Sequence, residues 1–365
     1  MKLHLREDYS PHPRRWWHIP LLLILILGTI YIAREYNGTE NKETSWKASE
    51  TKMNEGAVFG TFYHLTYRSA TDRQSAIDSV LADVDHSLSP FNKKSIITAI
   101  NENRSMQTDA RFRRVFTLAK QVYEATGGAF DISVAPLVNA WGFGFKEGRN
   151  PSDAEIDSLR QFVGLDKVRL EASPSGGGME GAFIMKADPR LMLDCSAIAK
   201  GYGVDAVADY LEAQGIRDYM VEIGGEIRVN GLNPQGQPWH IGIIRPVDDP
   251  LANNNDIQQV VEVSNTAIAT SGNYRNFYEQ DGRRVAHTID PRTGRPVQRD
   301  ILSATVLAPD CATADAYATA FMVVGLDEAK QILAKHSELQ AYFICADGQG
   351  KAFTWHTDRL NIPEN

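Results

Sequence analysis

The sequence predicts an α+β domain, mainly antiparallel sheets flanked by helices, behind an N-terminal membrane anchor helix. Three observations carry this. Short strand-like runs come in hairpin-like clusters between Gly, Pro and Asn turns, and do not alternate with helices as in a doubly wound sheet. The composition, 43% apolar and 23% charged over 365 residues, is that of a globular chain with a sizeable core. A single apolar run, Ile19 to Ala33, stands apart near the N-terminus behind Arg14, Arg15, Trp16 and Trp17.

The run 19–33 spans about 22 Å as a helix, and about 27 Å with Trp16–His18 added, enough for a short crossing with tryptophans at headgroup level. A cleaved signal peptide is the rival reading, but Tyr31-Ile32-Ala33 is a poor cleavage sequence. Residues 1–34 carry five Lys/Arg against two Asp/Glu, leaving 33 against 44 in the body. That asymmetry keeps the tip in the cytoplasm and the domain outside it, which is expected for a single-pass protein of the inner (cytoplasmic) membrane with its domain on the periplasmic or extracytoplasmic side. The net charge of −8 and the lack of a basic face exclude a nucleic-acid partner. Residues 1–35 are therefore tip and anchor, 36–56 a polar linker, and 57–360 the folded domain. Cys195, Cys311 and Cys345 are too few and too scattered for a disulfide framework or a metal cluster.

Within the domain, Val58–Tyr67 reads as a strand. Ile77, Val80, Leu81 and Val84 recur at helical spacing behind Thr71 as cap. Phe112, Val115, Ala119, Val122 and Tyr123 line a second helix stopped by Gly127-Gly128. Ser152 opens a helix to Val163. The stretch 173–181 is a loop beside hairpin strands at 182–187 and 190–193. A helix is expected from Ile198 to Gln214, then strands at 218–223, 226–230, 239–245, 259–264, 266–270 and 284–289. Strand 302–308, helices 312–323 and 327–336, and a hairpin close the chain.

Four stretches carry chemistry. In Asp194–Asp205 a carboxylate ends a strand and Lys200 follows inside a small-residue helix start, where helix amides suit phosphate oxygens. Alone, Asp194 could merely cap the helix and Lys200 lie on its surface. Val221–Val229 surrounds Gly224-Gly225, either a plain hairpin turn or an opening for a flat ring. Thr270–Arg275 is followed by His287–Gly294, where His287, near Asp290 and the Ser271-Gly272 turn, is a general-base candidate. In Ala312–Ala320, Asp315 and Thr319 share a helix face and form a hard-oxygen pair suited to Mg²⁺, or else an N-terminal acid and a back-bonded threonine. No G-x-G-x-x-G follows a strand, and no phosphate-loop, H-E-x-x-H, G-x-S-x-G or C-x-x-C motif occurs, so the common dehydrogenase, NTPase and hydrolase readings lack support.

With Gly60-Thr61, 88–101, 126–144, Asp194–Asp205, Val221–Gly231, Ile268–Tyr278, His287–Val297 and Ala312–Gly325 in view, the chain resembles the ApbE family of flavin transferases over about three quarters of its length. The resemblance implies a T-fold-like α+β domain. It also implies a reaction in which FAD and a Thr or Ser hydroxyl of an acceptor protein give a phosphoester-linked FMN and AMP. It carries FAD contacts to Phe59, Phe91, Ala129, Phe130, Asp131, Asp194, Lys200 and Ile289. It carries Mg²⁺ ligation to Asp315, Thr319 and the carbonyls of Ala197 and Ala318. Lys200, His287 and Asp290 are the expected catalytic groups. Acceptors would be extracytoplasmic flavoprotein subunits of membrane redox complexes, of the sodium-pumping quinone reductase or Rnf type. The alternatives are an FAD pyrophosphatase, with water as nucleophile, and a non-catalytic flavin-binding protein. Two departures stand out: Phe59 where members often carry Met, and an apolar anchor in place of a lipoprotein cysteine.

Overall fold

The computed structural model describes residues 46–47, 50–145, 151–173, 178–246, 256–272, 277–280 and 283–363. The expected anchor lies outside them. Among the described residues no helix is long and apolar enough to cross a membrane.

In chain order the hairpin β1 (Thr51–Val58) and β2 (Thr61–Arg68) leads to helices α1 (Gln74–Leu88), α2 (Ile96–Asn101), α3 (Ala110–Ala125), α4 (Ala135–Ala140) and α5 (Asp153–Arg160). The pair β3 (Val168–Glu171) and β4 (Phe183–Lys186) precedes α6 (Ala199–Ala213). Then follow β5 (Tyr219–Ile223), β6 (Glu226–Asn230), β7 (Trp239–Ile244), β8 (Ile257–Val263) and β9 (Thr266–Gly272). Short β10 (Phe277–Gln280), β11 (Arg283–Ala286), β12 (Ile289–Asp290) and β13 (Arg295–Pro296) lead to β14 (Ile301–Ala308). Helices α7 (Cys311–Val324) and α8 (Leu326–Leu333) and the hairpin β15 (Gln340–Ala346) and β16 (Ala352–His356) complete the domain.

Eight strands form one sheet in the order β1-β2-β5-β6-β9-β14-β15-β16, every pairing antiparallel. The α+β expectation with a large antiparallel sheet is therefore met. Alternation along the strands splits the core into two layers. Ala304, Val306 and Ala308 of β14, with Ala341, Phe343 and Cys345 of β15, face α3 and α7. Leu307, Tyr342 and Ile344 face the β7–β8 hairpin, with Trp239, Ile241 and Val261. Helices α1 and α6 cover the β2–β5 end through Ile77, Leu81, Val204 and Leu211. Helix α7 is apolar on nearly all sides and correspondingly buried along most of its length.

Several local expectations are corrected. The linker ends sooner than its polarity implies: Thr51–Gly56 belongs to β1, and Trp46 is already buried against Trp239. The run 58–67 is not one strand, because Phe59 and Gly60, at φ +50° and +76°, turn the chain between β1 and β2. Helix α1 begins after Arg73, not Thr71. Residues 190–193 form no strand; β4 pairs instead with β3. Strand 284–289 is broken: β11 ends at Ala286 and β12 starts at Ile289, so His287 lies between strands. The caps at Ser152 and Asp310 accept the Glu155 and Thr313 amides as expected of such residues.

Candidate active site

The strand ends and helix starts converge on one cavity of about 1050 Å³, at the upper end of small-molecule sites and large enough for a dinucleotide. Its walls come from four chain regions that are far apart in sequence: 129–143, 194–200, 222–244 and 270–291, with α7 behind them.

Helix α7 supplies the hard-oxygen wall. Asp315 and Thr319, one turn apart, both line the cavity, and Asp315 is only 5% exposed. Asp315 sits there because α6 and α7 pack closely at Gly201. A Cβ on Gly201 would lie 2.4 Å from the Cys311 carbonyl oxygen. That closeness lets the Gly201 amide donate to Asp315 Oδ2 at 3.1 Å. Asp205, buried on α6, fixes the same junction by accepting the Cys311 and Ala312 amides at 2.9 and 2.8 Å. Its charge is met by Arg228 at 3.1 Å.

Ala197 joins the cavity lining beside Asp315 and Thr319, whereas Ala318 is 1% exposed and is not part of that lining. Among the described residues no group of three or more His, Cys, Asp or Glu could hold a metal. A carboxylate and a hydroxyl one helical turn apart, with Ala197 in the same cavity lining, instead fit Mg²⁺, which keeps waters and substrate phosphate in its shell. They do not fit a zinc-type cluster.

Lys200 lines the cavity in the first turn of α6 and is ion-paired with Glu226 at the start of β6. Burial alone would disfavour the ammonium, but Asp315 and Glu226 outweigh it and hold Lys200 above its ordinary value. Burial likewise raises the Glu226 carboxyl, more than Lys200 lowers it. Gly224 and Gly225, at φ +61° and +102°, form the two-residue turn between β5 and β6. They also line the cavity, so the hairpin and ligand readings of this pair coexist. Glu222 holds the turn, accepting the Gly225 amide at one oxygen and meeting His64 Nδ1 at 2.8 Å with the other.

Ala129, Phe130, Asp131 and Asp194 also line the cavity, and the Asp194 amide ties their two segments together by donating to the Ile132 carbonyl at 2.7 Å. Burial pushes the Asp131 carboxyl up to about 6, although amides of Ser133 and Leu165 and the Ser133 hydroxyl favour its charged form. Burial raises Asp194 too, against the Ser196 amide and hydroxyl that it accepts.

His287, Ile289 and Pro291 line the cavity, and the His287 and Phe143 rings meet edge to face at 6.4 Å between centroids. Asp290 does not reach the cavity lining. Its carboxylate accepts the Arg292 amide at 2.9 Å and its guanidinium at 3.1 Å, and its carbonyl accepts the Gly294 amide. Asp290 thus builds the 290–294 turn, and the Trp141 indole locks that turn at the Gly294 carbonyl, 2.8 Å away. Ser271 and Gly272 do line the cavity; Asn273–Asn276 of that motif lie outside the described residues.

Two expected contacts stand apart. The Phe59 ring packs on Gly203 of α6, and Phe91 is 65% exposed against Phe145; neither is part of the cavity lining. Conversely, Glu226 and Asp205 carry roles not assigned from their motifs. The acid after a Gly-Gly turn and the acid closing Asp194–Asp205 were the available signals.

Fold and site together define an α+β protein with a dinucleotide-sized cavity that has a hard-oxygen wall and a histidine in its lining. Comparison with known proteins narrows this class. Residues 59–343 match the model of the ApbE family, and the chain belongs to that family. It is 39% identical to the FAD:protein FMN transferase of Vibrio cholerae serotype O1 over 316 residues, 83% of this chain and 90% of the relative. The Escherichia coli K12 FAD:protein FMN transferase is 34% identical, covering 82% and 86%. Among solved structures, the flavin transferase ApbE from Vibrio cholerae superposes with a TM-score of 0.74 at 35% identity, covering 85% of this chain and 97% of that one. The apo flavinyl transferase ApbE of Pseudomonas stutzeri gives 0.72 at 30% identity, covering 84% and 95%.

Proposed function

We propose that this chain transfers the FMN moiety of FAD to a Thr or Ser hydroxyl of an acceptor protein, releasing AMP. One observation carries the reading: Asp315, Thr319, Lys200 and His287 face a single cavity of dinucleotide size. The relatives' shared name supports it.

The reaction needs a nucleophile, charge neutralisation at a diphosphate, and exclusion of competing water. The acceptor hydroxyl oxygen attacks the FMN-side phosphorus. The phosphoanhydride P–O bond breaks, and AMP departs with the bridging oxygen. His287 takes the hydroxyl proton on its imidazole, with the Ser271-Gly272 backbone beside it; Asp290 serves by shaping the turn. Lys200, steadied by Glu226, places positive charge at the departing phosphate. Asp315, Thr319 and the Ala197 carbonyl would hold Mg²⁺, which would supply further charge neutralisation at the diphosphate. Ala129–Asp131 and Asp194 complete the FAD-binding lining.

The basic tip and apolar run of residues 1–34 support placing the chain in the inner membrane with its domain outside the cytoplasm. The acceptors we infer are flavin-carrying subunits of membrane redox complexes, of the sodium-pumping quinone reductase or Rnf type.

The test is mass spectrometry of a candidate acceptor co-expressed with this chain or with its Asp315→Ala form. An FMN-sized mass gain is expected only with the first. No gain with either would overturn the reading. AMP release from FAD at the same rate without any acceptor would instead favour the pyrophosphatase.

A further inference from the structure

Glu226 is 3% exposed, lines the cavity, and uses only one of its two carboxylate oxygens. Oε1 accepts from Lys200 Nζ, while buried Oε2 has no hydrogen-bond partner among the described residues. A buried carboxylate oxygen left without a donor is costly, so on a residue that lines a cavity such an atom marks a place where a ligand group that reaches it completes the bonding.

The chemistry of that ligand group follows from the neighbours. Lys200 links Glu226 to the Asp315 end of the cavity, where the reading above places the diphosphate. A carboxylate oxygen there repels phosphate oxygens and accepts only from a donor. In FAD the donors next to the diphosphate are sugar-type hydroxyls: those of the ribityl chain on one side and of the adenosine ribose on the other. The ring N–H and amino groups lie at the far ends of the molecule. We infer that Glu226 Oε2 accepts a hydrogen bond from one of these hydroxyls, so that Glu226 is a specificity-determining residue for the polyol part of the dinucleotide. This rests on the FAD reading and adds to it a contact assigned by the cavity alone.

The test is equilibrium binding of the purified full chain, with Mg²⁺ present, to three ligands followed by flavin fluorescence. They are FAD, FAD with 2′-deoxyadenosine, and FAD with a 4′-deoxyribityl chain. Wild type is expected to bind one deoxy form about 10- to 100-fold more weakly than FAD, the range of a hydrogen bond to a charged group. Which form suffers identifies the hydroxyl. Glu226→Ala is expected to lose a similar factor for FAD and nothing further for that analogue, a non-additivity that general loosening of the pocket would not produce. Glu226→Gln, which keeps the size of the side chain and a bond to Lys200, guards against misfolding and is expected to narrow the discrimination while melting like wild type.

Equal losses for all three ligands in both variants would overturn the inference and leave the FAD reading standing. So would a variant that loses Mg²⁺ affinity, measured without nucleotide, yet discriminates as wild type does. Wild type binding none of the three would overturn both.

Discussion

At the residue scale, the proposed mechanism gives the proton transfer to His287. His287→Ala is expected to lower flavin transfer 10²- to 10⁴-fold while FAD affinity stays within about threefold, measured by acceptor labelling rate and by fluorescence titration. Asp131 gives a pH signature. Its carboxyl lies at about 6 in the folded chain against an ordinary 3.8. Between those values the folded state holds a proton that the unfolded state has released, so stability falls as pH rises through the window. The contribution is complete below about pH 3.8 and gone above about pH 6; its size is about 1–3 kcal/mol. Urea midpoints from pH 4 to 7 should show this slope, and Asp131→Asn should flatten it. Asp315 and Thr319 were legible as a pair because helix spacing puts them on one face, whereas Lys200 and His287 stood in separate motifs that only the resemblance to the ApbE family joined to them. Glu226 was not legible, since an acid after a Gly-Gly turn has the local features of an exposed hairpin residue, and only packing against α6 buries it.

At the scale of elements, the α6–α7 junction sets the site. Gly201→Ala drives a methyl into the Cys311 carbonyl and pushes the two helices apart. The expected cost is about 1–3 kcal/mol in the denaturation midpoint, with a loss of flavin transfer beyond what that instability explains, because Asp315 moves with α7. Helices α1 and α3 were readable from apolar spacing, and α3 also from its glycine stop. Helices α2 and α4, six residues each, are too short to show a period. Strand β1 was hidden for a different reason. It is a sheet edge with Asn54 turned inward to Asp72 and Tyr67, so its sequence, Thr-Lys-Met-Asn-Glu-Gly, lacks the expected apolar alternation.

At the scale of the whole molecule, the one large sheet carries core on both faces, and the cavity draws its walls from segments spread between residues 129 and 323. A ligand spanning such a cavity ties those segments together, so binding is linked to global stability. FAD at about 100 times its dissociation constant, with Mg²⁺, is expected to raise unfolding free energy by about 2.7 kcal/mol, read as an upward shift in melting temperature. Asp315→Ala should remove most of the Mg²⁺-dependent part. The sheet order itself was not legible, because strand neighbours such as β2 and β5 are set by tertiary pairing across more than 150 residues. One asymmetry remains. The oxygen-bearing helix is entombed, whereas the histidine side is made of short turns and two-residue strands. Descendants of this fold can therefore acquire new clients by rewriting the rim, with the ancestral grip on the nucleotide inherited intact.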